Sequence, residues 1–245
     1  MCQDFLKDLK WSIEETERKN KHKPSTYYKP SSMKCLRNMY YQRTGAEIEK
    51  DDISYTLVGI CNSGTDIHVR IQQAVNDMKN NDIDCEYVDV EQYVNNVVNK
   101  GYSKVLEVLE HSGMETKLLK PDYNTVFLCD GIIKYKGEYY ILEIKTETSR
   151  KFQTRFEIAE EHKNQAQAYA SFLSINKVLF LYVCRDNLDM KAFIYEPTEK
   201  ERWALLTKID TVELYVHDKV LPNKTTDTSV CTYCQYKNRC ERELC

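Results

Sequence analysis

Residues 125–146, TVFLCDGIIKYKGEYYILEIKT, carry the reading on which the rest depends. β-Branched and aromatic residues crowd two runs, 125–135 and 138–146. Lys136-Gly137 between them is a turn pair, so the stretch predicts a β-hairpin. Its charges are out of place. Asp130 interrupts the first apolar run, and Glu143 and Lys145 interrupt the second, where an ionised group costs free energy unless it is paired or bound to a metal. Side chains alternate along a strand, so Glu143 and Lys145 share one face, Ile144 turns to the core, and the Ile144 carbonyl is left at the strand edge. Two carboxylates and a carbonyl form a hard oxygen cage suited to Mg²⁺ or Mn²⁺, with a lysine beside it to orient a water. An isolated Glu-x-Lys is more often a surface ion pair; the apolar residues on both sides favour a site. Asp122, after Pro121, is a second upstream carboxylate, but its loop-like surroundings leave Asp130 as the ligand.

Outward from the hairpin, residues 64–79 have the periodicity of a helix, with Thr65 as N-cap and Ile67, Ile71, Ala74, Val75 and Met78 as its apolar stripe. His68 falls in the first turn, beside that stripe. Downstream, a helix over 156–174 places His162, Gln165, Tyr169 and Phe172 along one side. Strands over 177–185 and 190–196 extend the sheet, and a helix over 198–218 buries Trp203, Leu206, Ile209, Leu214 and Tyr215. Upstream, 3–20 reads as an amphipathic helix, and 25–45 as a short helix capped by Ser31 and Ser32 and stopped at Gly45. Residues 88–112 read as two helical segments around Tyr93/Val97 and Val105/Leu109, broken at Gly101. A strand is expected over 115–119, with Glu115 at its start either reaching the site or, the favoured reading, at a solvent-facing edge.

A chain of 245 residues, 42% hydrophobic and 30% charged, can bury one substantial core with a small appended lobe. The first residues, MCQDFLKDLK, lack the apolar core of a signal peptide. The longest apolar run, 178–184, is too short to span a bilayer, so a cytoplasmic location is expected. Ten cysteines without a secretory signal point to buried thiols or metal ligands rather than disulfides. A net charge of −3 gives no overall attraction to nucleic acid. Local basic groups remain: Lys21/Lys23/Lys29, Lys34/Arg37/Arg43 and Arg150/Lys151/Arg155. No GxxxxGK(S/T) loop is present, which excludes a P-loop motor.

The tail contains Cys231-x2-Cys234-x5-Cys240, with Cys245 last. Paired thiolates within one turn signal a metal or cluster. Zinc, with Cys245 as fourth ligand, and an iron–sulfur cluster, with the distant Cys35, both satisfy the count. Cys2, Cys61, Cys85, Cys129 and Cys184 read as ordinary thiols.

Taken in order over roughly residues 25–240, these motifs resemble the RecB-like iron–sulfur exonucleases of the PD-(D/E)xK superfamily, among them the AddB nuclease domain and the nuclease of CRISPR adaptation. The Asp130 and Glu143-x-Lys145 hairpin resembles the superfamily core. Gly64-Thr65-x-x-His68 before it and Gln165-x-x-x-Tyr169 after it resemble the family's histidine and QxxxY motifs. Cys35 before the core and the tail cysteines after it resemble split cluster ligands. The resemblance implies an α/β fold, a PD-(D/E)xK core of central mixed β-sheet flanked by helices, with N- and C-terminal segments joined at an iron–sulfur cluster. It implies one nuclease domain over 1–245, a catalytic core over 64–196, and a lobe made from 25–45 and 225–245. His68, Asp130, Glu143 and the Ile144 carbonyl are expected to hold one or two Mn²⁺ or Mg²⁺ ions. Lys145 is expected to orient the attacking water, and Gln165 with Tyr169 to position the strand. Cys35, Cys231, Cys234 and Cys240 are expected to ligate a structural 4Fe–4S cluster. The function implied is a metal-dependent deoxyribonuclease, foremost a single-stranded DNA exonuclease acting at free ends. Rival readings are a non-catalytic protein binding DNA ends or a partner, and a structure-specific endonuclease with a zinc-bound tail. DNA is the expected partner, no membrane is implied, and protein partners in recombination, phage replication or CRISPR adaptation fit the resemblance.

Overall fold

The computed structural model describes residues 2–20, 25–48, 53–100, 105–232 and 234–243. In chain order its elements are α1 (Cys2–Lys19), α2 (Leu36–Arg43), α3 (Tyr55–Asp77), β1 (Cys85–Val88), α4 (Val90–Tyr93), β2 (Glu107–Ser112), β3 (Glu115–Lys120), β4 (Thr125–Cys129), β5 (Gly131–Tyr135), β6 (Glu138–Glu147), α5 (Ser149–Gln153), α6 (Glu160–Leu173), β7 (Val178–Cys184), β8 (Met190–Tyr195), α7 (Glu199–Asp218) and α8 (Lys237–Arg242). They build an α/β fold with a mixed sheet of order β1-β5-β6-β7-β8 and a separate sheet of order β2-β3-β4. All pairings are antiparallel except β6 with β7, which the α5–α6 crossover connects in parallel. Among the described residues no helix is long and apolar enough to cross a membrane.

β6 shows how the sequence pattern becomes layers. Leu142 and Ile144 turn toward α3, packing with Ile67, Ile71, Ile133 and Val183. Ile141 turns the other way, into the core that holds Ala166, Tyr169 and Phe172 of α6 with Phe180 and Tyr182 of β7. Full burial of a residue such as Ile144 contributes about 2 kcal/mol. α7 closes the α6 side with Leu205, Ile209 and Val212. Its start is fixed by a capping box, in which the Thr198 hydroxyl accepts from the Glu201 amide while the Glu201 carboxylate accepts from the Thr198 amide.

Several expectations are corrected. Residues 125–135 are two strands in two different sheets, β4 and β5, with Asp130 at the break. The cause lies at Gly131, where an added Cβ would come within 2.2 Å of the Tyr87 hydroxyl. Only glycine lets Tyr87 lie against this backbone and donate to the Asp130 carbonyl. α3 begins at Tyr55 with Ser54 as N-cap, nine residues before Gly64, so His68 sits in mid-helix. The cap of α2 is the Cys35 sulfur, accepting from the Asn38 amide, while Ser31 and Ser32 form a preceding 3₁₀ turn. Residues 107–112, read as helical around Leu109, pair with β3 as a strand, because cross-strand partners outweigh local periodicity. On α7, Ile209 is buried and Leu206 packs partly buried against the core as expected, but Trp203 is 73% and Leu214 66% exposed, and Leu205 and Val212 complete the buried stripe.

Candidate active site

The site occupies a gap in the large sheet. β5 begins at Gly131, opposite Leu142, so β6 runs on from Glu143 without its antiparallel neighbour. The Asp130 carboxylate takes the place of that neighbour, accepting the Ile144 amide at 2.8 Å. Amide and carbonyl of one strand residue leave on the same side, so the Ile144 carbonyl also faces the gap. From the α3 layer His68 reaches in, its Nδ1 3.7 Å from Asp130 Oδ2 and 3.6 Å from Glu115 Oε1 at the start of β3. One ligand atom from each of His68, Glu115 and Asp130 lies within 4.8 Å of the others. Burial would lower the His68 pKa, but the adjacent Glu115 carboxylate and the negative charges of Asp130 and Glu143 outweigh that and hold it up. Burial and the neighbouring Glu143 push the Asp130 carboxyl up to about 7.

From the α6 layer come Gln165 and Tyr169, and their bonds leave one arrangement. The Tyr169 hydroxyl donates its single proton to the Leu128 carbonyl at 2.7 Å and accepts Gln165 Nε2 at 2.8 Å. The Gln165 carbonyl oxygen is thereby turned toward Lys145, whose Nζ donates to it at 2.9 Å. Lys145 Nζ also lies 2.5 Å from Glu143 Oε1. Burial disfavours the Lys145 ammonium, yet Glu143 more than compensates and raises its pKa. The second Glu143 oxygen, Oε2, is buried with no hydrogen-bond partner. A buried carboxylate oxygen of that kind is costly unless it serves a cation.

Of the residues singled out in the sequence, the structure brings His68, Asp130 and the Ile144 backbone to one gap, and Glu143, Lys145, Gln165 and Tyr169 to its wall. All except Ile144 line one cleft of about 520 Å³, together with Lys29, Glu110 and Lys117. Glu115 follows the less favoured of its two readings: rather than lying at a solvent-facing edge it reaches the site, 3.6 Å from His68 Nδ1. Nothing local marks it, since its approach depends on how the second sheet docks. Asp122 is 73% exposed at its side chain and pairs with Lys120, away from the gap. The basic groups are not shared patches. Arg37 is buried, Arg43 pairs with Glu213, and Arg155 with Glu147. Lys21 and Lys23 lie outside the described residues.

A second cavity, of about 370 Å³, is lined by Cys35, Cys231, Cys234 and Cys240. Three of the sulfurs accept hydrogen bonds. The Asn38 amide donates to Cys35 at 3.4 Å, Asn38 Nδ2 to Cys234 at 3.2 Å, and Arg37 Nη1 to Cys240 at 3.7 Å. Burial pushes the Cys35 thiol up, with Cys234 and Cys231 adding to it against the Asn38 bond. Cys85, Cys129 and Cys184 are buried and Cys61 is exposed, all unpaired, while Cys245 lies outside the described residues.

No family model matches the chain, and no curated protein matches it in sequence. Among solved structures, that of SSO0001 is similar over 100% of this chain and 98% of its own, with a TM-score of 0.52 and 18% identity. LHK-Exo in complex with dAMP is similar over 79% of this chain and 89% of its own, with a TM-score of 0.47 and 12% identity. The alkaline exonuclease LHK-Exo from Laribacter hongkongensis is similar over 80% and 90%, with a TM-score of 0.45 and 10% identity. At these identities the finding concerns architecture: the chain shares the fold of SSO0001 along its whole length.

Proposed function

We propose that this protein is a metal-dependent deoxyribonuclease, most specifically a single-stranded DNA exonuclease with a structural 4Fe–4S cluster. The observation that carries the reading is the meeting, at a break in the sheet, of His68, Glu115 and Asp130 with the Glu143–Lys145 pair and its unpartnered carboxylate oxygen. Two or three carboxylates with one imidazole fit Mn²⁺ or Mg²⁺, and the imidazole shifts preference toward Mn²⁺. His68, Glu115, Asp130, Glu143 and the Ile144 carbonyl would hold the ion. Bound there, it would activate a water and the scissile phosphate. The side chains then divide the remaining work. Lys145, fixed between Glu143 and Gln165, keeps an ammonium beside the phosphate to orient the nucleophile and to balance the charge that develops on the phosphoryl oxygens. Tyr169 holds Gln165, and Gln165 keeps Lys145 from swinging into solvent. Lys29 and Lys117 at the cleft give phosphate contacts. The four thiols of Cys35, Cys231, Cys234 and Cys240 line one cavity, and four thiolates meet the ligand count of a 4Fe–4S cluster.

An end-labelled single strand incubated with the protein and Mn²⁺ should shorten from its end, while covalently closed single-stranded circles remain intact. Glu143→Ala should abolish the digestion and Lys145→Ala should slow it on the order of 10³-fold. Unchanged degradation in both variants rejects the site, and cutting of circles makes the enzyme an endonuclease. Zinc without iron in anaerobically purified protein removes the cluster from the reading.

A further inference from the structure

The active-site gap does not use Asn38, yet Asn38 is 5% exposed and joins sulfurs from both ends of the chain. Its backbone amide serves Cys35, three residues before it, and its side-chain amide serves Cys234, 196 residues after it. The side-chain oxygen Oδ1 has no partner, so the amide is oriented by its Nδ2 bond to sulfur alone. Reversal of the amide would point an oxygen lone pair at a thiolate. The preceding residue is equally committed. The Arg37 guanidinium, 1% exposed, donates to the Pro222, Cys240 and Glu243 carbonyls and to the Cys240 sulfur. Lys208 of α7 donates to the Met33 and Lys34 carbonyls and so holds the turn that leads into Cys35. Two consecutive side chains of α2 thus reach two different tail cysteines, while the helix cap engages the third sulfur.

We propose that Asn38, supported by Arg37, is the positioning residue that clasps the N- and C-terminal thiols around the cluster and sets its reduction potential. The inference rests on the iron–sulfur reading above. An N–H donated to a ligating sulfur stabilises the more negative, reduced state of a cluster, so the donors raise the potential; removing one lowers it. The same bond ties Cys234 to α2, and its loss frees the tail from the helix.

The test compares wild type with Asn38→Leu, which removes the side-chain donor at similar volume, and Asn38→Asp, which places a carboxylate oxygen against the sulfur. Iron content, the midpoint potential from a dithionite titration followed by electron paramagnetic resonance, and the rate of bleaching in air are measured for all three. The expected midpoints fall in the order wild type, Asn38→Leu, Asn38→Asp, and both variants bleach several-fold faster. A variant that keeps wild-type circular dichroism and loses iron also supports the clasp. A common midpoint and a common bleaching rate in iron-replete variants would overturn it, as would variants that lose fold and iron together while Asn38→Gln, which restores an amide donor, recovers neither. Absence of iron from wild type overturns the iron–sulfur reading and the role of Asn38 with it, and is told apart from the outcomes above because the wild type itself then shows neither iron nor a midpoint.

Discussion

The gap at β6 and the thiol lobe both collect polar side chains from distant parts of the chain, but they are held by different means. At the gap, the frame is a backbone ladder. β6 pairs with β7 through seven consecutive residues, from Ile141 to Glu147, and Asp130 is fixed by an amide of that same strand. In the lobe, the elements are short: α2 has eight residues, α8 six, and the Cys231 segment is a single 3₁₀ turn. Arg37, Asn38 and Lys208 join these pieces by side-chain bonds. On the function proposed above, one site is pre-organised by the fold before an ion enters it, whereas the other would reach its full stability only with a bound cluster. Lys145→Ala tests the first half most severely. It should lower the rate of Mn²⁺-dependent digestion on the order of 10³-fold. It also leaves the Glu143 carboxylate buried without its cation, so the melting temperature of the metal-free protein should fall while the β6–β7 ladder keeps its protection against amide exchange. Loss of that protection would mean that the gap is not an independent frame.

The second contrast concerns removal of the groups themselves. Stripping divalent ions with a chelator should leave amide exchange in β6 and β7 unchanged, because that ladder needs no ion. Removing iron, or replacing Cys234 with Ser, should open α2 and residues 225–243 to exchange while β6 remains protected. Equal opening of both regions would erase the distinction drawn between them.

A smaller effect tests Glu115. Its carboxylate is 3.6 Å from His68 Nδ1, the same nitrogen that lies 3.7 Å from Asp130 Oδ2. Glu115→Gln keeps the shape and removes the charge, and Mn²⁺ affinity by isothermal titration should weaken roughly 10–100-fold. Unaltered affinity would return Glu115 to a role in packing the second sheet.

How much of this could be read from the chain differs between the two regions for the same physical reason. Glu143 and Lys145 are legible because strand alternation puts charges where apolar residues belong, a signal carried within five residues. Gln165 and Tyr169 are legible as a helix pair four apart, though the reason for the pair emerges only with the Leu128 carbonyl that fixes the tyrosine. The break at Asp130 is not legible. TVFLC and GIIKY have equal strand character, and the contact of Tyr87 with Gly131 that divides them comes from β1, more than 40 residues upstream. Residues 107–112 fail for a related reason: the apolar spacing of Val105, Leu106 and Leu109 suits a helix, and only pairing with β3 decides otherwise. Cys35 carries no local mark as a partner of the tail. Its place beside Cys234 follows from Asn38, and in the sequence only the family resemblance links it to the tail.

The subtlest expected difference lies in how the gap region responds to acid. His162 stacks on Phe180 and Tyr182, and its Nδ1 lies 2.8 Å from the Tyr182 hydroxyl. Burial, and then the positive charge of Lys145, push its pKa down to about 3 from 6.5. Folded, the ring stays neutral; unfolded, it takes a proton below pH 6.5. Its contribution to stability is therefore complete above that value and is lost progressively as the pH falls toward 3, with a limiting slope of about 1.4 kcal/mol per pH unit. His162→Gln removes this dependence, so the difference between wild type and variant in urea denaturation should be constant above pH 6.5 and change steadily below it. Protonation must act through global unfolding if the β6–β7 frame is as rigid as its ladder implies. Exchange in β6 at pH 5 would then rise in parallel with the loss of global stability. If β6 opens while α7 and β8 stay protected, the gap yields locally, and its pre-organisation is no stronger than that of the thiol lobe.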